Sequence, residues 1–276
     1  EKVVLGTVQF GVDYGIANTS GRPSRKEVFQ ILDLAWDKGV RSFDTAPGYG
    51  TEELLGEFIK KNGIQNEVRI LTKIPPIIGL KNFSQTVQKN IESSLQSLGC
   101  SIEVLFFHKA SDSKLLIDNP GFFQKILNHY PISSIGVSVY DPKEVELLAN
   151  TQFELAFQFP FNVLDRRFEK VIVKEGKRYA RSIFLQGLLT QNGCLRDNAP
   201  KELVRLNNNY HSKLSQYNLN PVKFSISFVY NARIADYFIL GVDNLKQCAE
   251  ILNMQLYDRE RLNVSDSMSN GIDENW

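Results

Sequence analysis

The chain is poor in the residues that several function classes require. It has three histidines in 276 residues, His108, His129 and His211. His129 closes a helical pattern and His211 lies in a polar stretch, so a three-histidine metal site is not expected. Three cysteines, Cys100, Cys194 and Cys248, are odd in number, widely spaced and without a CxxC pair, which argues against both a disulfide framework and a zinc site. No apolar run approaches the roughly 18 to 20 residues of a membrane span. The first residues, EKVVLGTVQ, read directly as a strand, so a soluble cytoplasmic protein is expected. The net charge is +1 with 23% charged residues, and no basic tract is interleaved with aromatics as on nucleic-acid surfaces. No GxGxxG follows a strand, so a Rossmann nucleotide site is not supported either.

What is present is alternation. Strand-like runs lie near Val3 to Thr7, Ser42 to Thr45, Arg69 to Lys73, Val104 to His108, Ser134 to Val139, Leu155 to Asn162, Arg181 to Leu185 and Tyr237 to Gly241. Helical patterns separate them, as right-handed parallel crossovers require. In SRKEVFQILDLAWDKG, Ser24 is the expected N-cap, Glu27 stands at the capping-box position, and Val28, Ile31, Leu32 and Ala35 form the apolar face. In SQTVQKNIESSLQSLG, Ser84 is the expected cap and Gly99 the stop, with Val87, Ile91, Leu95 and Leu98 inside. Eight strands and no linker predict fold class α/β, a single (β/α)8 TIM barrel over residues 1–276, with 258–276 a polar C-terminal tail. That tail reads equally as partly ordered, as a flap over a pocket, or as the remnant of a longer C-terminus.

Four polar residues sit at or just beyond the ends of separate apolar runs: Asp44 and Tyr49 in RSFDTAPGY, Lys73 in RILTK and His108 in EVLFFH. In such a barrel these positions converge at one mouth. An ammonium beside a phenol favours the phenolate, so Lys73, held by Asp44, is expected to pull the Tyr49 pKa below its usual value near 10. Tyr49 could then give a proton to a carbonyl oxygen while hydride reaches the carbon, with His108 orienting the carbonyl.

FDTAPGYG, ILTK and FFH, in this order, resemble the catalytic tetrad of the aldo-keto reductases. The resemblance runs from LGTVQFG to GVDNLKQCAE and covers nearly the whole chain. It implies a nicotinamide cofactor bound by the barrel itself, with Gly6, Thr7 and Asp44 among its contacts. Ser138 in GVSVY and Gln158 in FQFPFN match the positions that hold the carboxamide, although Val139 stands where the family usually has Asn. RSIFLQGLL resembles the loop that follows the seventh strand. There Arg181 occupies the usual aromatic stacking position, Ser182, Phe184 and Gln186 would contact the diphosphate, and Gly187 permits the turn. After the eighth strand, Gly241, Asp243, Asn244, Gln247 and Glu250 fall where the family holds the adenosine end. Asp243, and Gln247 in place of Arg, remove positive charge there, with Lys246 the nearby cation. The family favours NADP(H) while Asp243 argues for NAD(H); NADP(H) is the preferred expectation.

The resulting expectation is an NAD(P)H-dependent reductase of an aldehyde or ketone, working without a metal, monomeric by default, with no nucleic-acid or membrane partner. Arg22, Arg25, Lys109, Lys114 and Arg166 favour an anionic carbonyl such as a sugar derivative, and Phe10 and Tyr14 are candidates for an aromatic pocket wall. Two alternatives stay open: a metal-dependent hydrolase barrel, and a cofactor-binding subunit that kept the barrel without catalysis.

Overall fold

A computed structural model describes residues 2–16, 18, 21–77, 79–148, 151–171, 175–190 and 200–268. Eight parallel strands close into a barrel in sequence order: β1 (Val3–Gly6), β2 (Ser42–Asp44), β3 (Arg69–Ile74), β4 (Ile102–Phe107), β5 (Ile132–Ser138), β6 (Ala156–Pro160), β7 (Arg178–Arg181) and β8 (Tyr237–Gly241). Closure is the pairing of β1 with β8, where Gly6 stands opposite Gly241.

Two apolar clusters hold this frame. The larger lies between the barrel and its helices, where Ile31, Leu32, Phe58, Ile91 and Phe123 are shielded from water. The smaller contains Val4, Leu71, Val104, Phe106, Ala156 and Tyr179, one or two residues from each of five strands. Side chains two apart on a strand share a face. Two residues beyond Val4, Leu71, Phe106, Ala156 and Tyr179 stand Gly6, Lys73, His108, Gln158 and Arg181. The alternation thus places an apolar layer inside the barrel and a polar layer above it, at the C-terminal ends of the strands where such barrels carry their chemistry.

The helix Arg25–Asp37 starts as the sequence predicts, with Ser24 Oγ accepting from Glu27 N at 3.2 Å and Val28, Ile31, Leu32 and Ala35 buried. The Glu27 carboxylate, however, leaves its own helix and accepts from Leu245 N. The next predicted helix is Phe83–Leu98, with Asn82 rather than Ser84 at its N-cap position and no side-chain capping bond there, and it ends at Gly99 in the left-handed region with φ 65°. Ser84 misled because a hydroxyl residue in the first turn has the same signature as an N-cap.

The seventh strand is displaced from its expected position. It covers Arg178–Arg181, so of the expected Arg181 to Leu185 only Arg181 is strand. Ser182 has φ 57°, Leu185 φ 44° and Gln186 φ 55°, which turns the chain out of the sheet at once. The apolar run arises because Ile183, Leu188 and Leu189 are buried under this turning loop. The polar tail also begins with packed structure: a 3-10 segment, Glu260–Ser267, buries Leu262, and Met268 follows it into the core. Ser265 O accepts from Arg166 Nη2 at 2.7 Å. Residues 269–276 lie outside the described residues, as does Cys194.

Candidate active site

The site is built around one buried ion pair. Lys73 Nζ donates to Asp44 Oδ1 and Oδ2, both at 2.8 Å, and to Thr45 O at 2.8 Å. Lys73 and Asp44 are 2% and 5% exposed, so the pair is dry enough that losing either charge would strand the other. Gln158 Nε2 donates to Asp44 Oδ1 at 2.8 Å, which joins β6 to the β2–β3 pair. Ser138 stands opposite Gln158 in the β5–β6 register and is also buried.

Tyr49 ends a short 3-10 helix, Pro47–Tyr49, whose turn is closed by Tyr49 N donating to Ala46 O at 2.9 Å. Two features fix that turn. A chain of buried hydroxyls runs behind it: Thr45 and Thr51 at 2.8 Å, then Thr51 and Thr7 at 2.9 Å, with Thr7 Oγ1 donating to Asp44 O at 3.0 Å. On the other side, Gly11 lies so close that a Cβ there would fall 1.7 Å from Tyr49 O. The Lys73 ammonium is 4.9 Å from the Tyr49 ring centroid, and the His108 ring meets Tyr49 edge-on at 6.2 Å and 88°. The four expected catalytic residues are therefore together.

The electrostatics correct one expectation. Burial pushes the Tyr49 phenol above its ordinary pKa, and the pull of Lys73 in the other direction, by charge and by hydrogen bond, does not overcome it. Tyr49 is therefore held protonated rather than poised as phenolate. For Lys73, burial opposes the charge, yet Asp44 and Tyr49 outweigh it and the pKa is raised, so the ammonium persists. His108 is lowered by burial and then by Lys73, which leaves a neutral imidazole at physiological pH.

The other expected cofactor residues line the same mouth, with exceptions. Gly6 pairs with Asp44 across β1 and β2. Thr7 is fully buried, its hydroxyl engaged as above and its N–H given to Asp44 O, so it braces the site from behind. Arg181 stacks 4.1 Å from the Tyr140 ring and donates to Val139 O and Ser182 Oγ, each at 3.2 Å. Tyr140 was not foreseen. Phe184 packs partly into the core, while Ser182 and Gln186 hold the left-handed turns of the loop. Gly15 approaches Gln186 O, a built Cβ lying 3.5 Å away, so the first loop borders this one.

Past β8, Asn244 caps the helix Leu245–Leu252, accepting from Gln247 N at 2.9 Å. Gln247 Oε1 accepts from Asp243 N at 2.8 Å. Glu250 is largely exposed and pairs loosely with Lys246 at 3.9 Å. A residue missed in the sequence is Gln9, in the short helix Val8–Gly11. Its amide lies against Gly241, and its buried Oε1 has no hydrogen-bond partner. Strand parity could not have found Gln9, because it lies beyond the end of β1.

The proposed substrate-facing groups separate. Phe10 belongs to the core, whereas Tyr14 lies within electrostatic range of Tyr49, Tyr140 and Arg181. Arg166 is structural, stacked on Phe228 at 4.7 Å. Arg25 pairs with Glu57 and Lys114 with Asp118, both on exposed helix surface. Arg22 donates to Gly11 O at 2.9 Å in the first loop. Lys109 directly follows His108 and contributes to its lowered pKa. His129 meets the Tyr130 ring edge-on at 4.9 Å, and His211 Nε2 contacts Leu188 O at 2.9 Å. Among the described residues no three His, Cys, Asp or Glu side chains converge as a metal ion would need.

The sequence profile of the Aldo/keto reductase family matches residues 2–269. The chain belongs to this family. Its relatives are distant. Aldo-keto reductase YhdN of Bacillus subtilis is 21% identical over 289 aligned residues, covering 92% of this chain and 87% of that protein. Aldo-keto reductase str7 of Strobilurus tenacellus is 28% identical over 179 residues, 60% of this chain and 53% of the relative's length. Among solved structures, the holo form of aldo-keto reductase AKR11C1 from Bacillus halodurans superposes with a TM-score of 0.78 at 14% identity, covering 98% of this chain and 93% of that one. The glycerol dehydrogenase AKR11B4 from Gluconobacter oxydans gives 0.74 at 20% identity, covering 97% and 91%. At such identities the superpositions establish the fold, and the family match establishes an oxidoreductase lineage. Among the described residues no helix is long and apolar enough to cross a membrane.

Proposed function

We propose that this chain is a nicotinamide-dependent carbonyl reductase in which Tyr49 is the proton donor to a small aldehyde or ketone. The observation that carries the reading is the Lys73 ammonium, fixed by Asp44 and Thr45 O and held 4.9 Å from the Tyr49 ring. A phenol kept protonated by burial is the correct ground state for a general acid. The same ammonium favours the phenolate left once the proton has moved to the carbonyl oxygen, so its stabilisation arises during the reaction. Neutral His108 can donate one ring N–H to that oxygen without competing as an acid. Asp44 keeps Lys73 charged and aimed.

The residues at the mouth fit the cofactor. Ser138 and Gln158 form a buried polar pair beside Asp44, and Gln9 Oε1 is an acceptor awaiting a donor. The loop after β7 holds three non-glycine residues in the left-handed region, a conformation each residue type resists and one found where loops bind ligands, and its turns are closed by Leu185 N donating to Ser182 O and Gly187 N to Phe184 O. Ser182, Phe184 and Gln186 would hold the diphosphate side, with Gly187 permitting the turn, and Ser138 and Gln158 would hold the carboxamide. When bound, a reduced nicotinamide supplies hydride to the carbonyl carbon.

Tyr49→Phe tests this assignment. The variant is expected to bind NADH or NADPH within about twofold of wild type while turnover over a panel of aliphatic, aromatic and anionic aldehydes falls by about 10²- to 10⁴-fold. Retention of a third of the activity would show that the proton comes from elsewhere.

A further inference from the structure

Among the described residues, one half-buried cation at the barrel mouth has no carboxylate beside it. Lys73 is answered by Asp44, and the cations expected to attract an anion are engaged elsewhere: Arg25 with Glu57, Lys114 with Asp118, Arg166 with Phe228 and Ser265 O. Arg181 differs. It ends β7 two residues beyond Tyr179, in the same polar layer as Lys73, Gln158 and His108. Its contacts among the described residues are the Tyr140 ring at 4.1 Å and, both at 3.2 Å, Val139 O and Ser182 Oγ. None of these bears a charge.

These contacts fix the guanidinium without neutralising it. Nη2 reaches across β6 to the residue that follows β5, and the Tyr140 ring covers one face, so the group is held in one orientation. The carboxylates just after Tyr140 are committed to the start of the helix Pro142–Leu148, where Glu144 accepts from Tyr140 N and Asp141 N, and Asp141 from Lys143 N. A guanidinium has more N–H groups than two contacts use, in a planar fork that matches a carboxylate. Tyr14, Tyr49 and His108, which follow β1, β2 and β4, all lie within electrostatic range of Arg181. The proton donor and a fixed positive charge therefore border the same space.

We propose that the substrate is an oxo acid, an aldehyde or ketone whose carboxylate is held by Arg181 while its carbonyl oxygen meets Tyr49. The proposal rests on the reductase reading above and names its substrate class. The carbonyl carbon takes hydride from the reduced nicotinamide, the oxygen takes the Tyr49 proton, and the carboxylate leaves unchanged on a hydroxy acid. A proton from water then restores the phenol. The anionic substrate expected from the sequence is kept, but its partner is a strand residue and not the loop surface.

The test compares each acid with its neutral methyl ester, using para-carboxybenzaldehyde and glyoxylate, which give a long and a short spacing between carbonyl and carboxylate. For at least one pair, wild type is expected to show kcat/KM about tenfold or more higher for the acid, the size of a hydrogen bond to a charged group. In Arg181→Met that ratio should fall to about one, with thermal melts confirming the fold, and salt at about 0.5 M should shrink the wild-type ratio. Benzoate, which cannot be reduced, gives a readout without turnover: by calorimetry it should bind wild type about tenfold more tightly than Arg181→Met, with benzamide equal on both. Wild-type ratios near one for both pairs overturn the proposal and leave the reductase reading intact, because the esters still turn over. A high ratio that survives in folded Arg181→Met overturns the assignment to Arg181, and weaker NADH binding with that ratio intact would assign the guanidinium to the coenzyme instead. Preference for para-formylphenyl phosphate over both acids overturns the choice of carboxylate. No turnover of any acid or ester overturns the reductase reading and this proposal with it.

Discussion

The β2–β4 side of the barrel mouth and the β7–β8 side solve different problems with different materials. On the first side, the candidate chemistry lies in side chains. Lys73 and Asp44 are buried and paired, His108 sits at the end of β4, and three threonine hydroxyls brace the turn that carries Tyr49. The second side works through backbone. Ser182, Leu185 and Gln186 take left-handed conformations, and N–H groups past β8 are matched to Glu27, Asn244 and Gln247. Proton transfer needs particular pKa values at particular points, so it demands particular residue types. Holding a diphosphate needs N–H groups in the right curve, which many sequences can supply.

The largest expected effect comes from breaking the side-chain half at its centre. Lys73→Met leaves the Asp44 carboxylate buried with Gln158 as its remaining side-chain donor, and should lower stability by about 3–5 kcal/mol in urea denaturation, with turnover abolished. Asp243→Asn on the other side removes a half-buried carboxylate without orphaning a cation and should change stability by no more than about 0.5 kcal/mol. Similar losses in the two variants would erase the contrast between the halves.

A smaller effect should follow from the backbone behind Tyr49. Gly11→Ala puts a methyl 1.7 Å from Tyr49 O and 2.9 Å from Thr51 Cγ2, so the 3-10 turn must move. Overpacking of this kind costs about 1–3 kcal/mol. Because it shifts the phenol relative to Lys73, kcat should fall more than KM rises. Gly48→Ala, in the same turn, meets no atom within 4 Å and should leave both kcat and the urea midpoint unchanged. If the two variants behaved alike, the turn would be compliant and Gly11 would not position Tyr49.

The same contrast explains what was legible in the sequence. Apolar runs ending in Asp44, Lys73 and His108 located three strands and the candidate catalytic cluster together, because inward parity and strand end are both sequence properties. The closing strand number and the face of the helix Arg25–Asp37 were readable for the same reason. The seventh strand was misplaced because a buried turning loop and a buried strand carry the same apolar composition, and positive φ at Ser182 leaves no mark on residue type. The direction of the Tyr49 pKa was misjudged because the neighbouring charge is visible in the sequence, whereas the depth of burial is not. The first of these errors is about backbone and the second about solvent. Glu27 was seen as a helix cap, yet its actual partner, Leu245, comes from the far end of the chain.

The smallest effects are in pH dependence, where the two sides should carry opposite signs. His108 has its folded pKa below the ordinary 6.5, through burial and then Lys73, so the unfolded chain binds the proton more readily. Its contribution to stability is complete above pH 6.5 and is lost as pH falls through the folded value. Asp243 is raised above 3.8 by burial, with Gln247 pulling weakly the other way, so its unfavourable contribution at neutral pH is relieved as pH falls through the folded value. Against wild type, His108→Gln should therefore flatten the acid-side decline in urea stability below pH 6.5, while the advantage of Asp243→Asn should be greatest near neutrality and shrink toward acid. Both groups are partly exposed, so screening keeps the two slopes shallow, and the sign is what discriminates. If both variants shifted the profile the same way, the surroundings of His108 and Asp243 would be electrostatically alike, and the division of the mouth into a side-chain half and a backbone half would have to be redrawn.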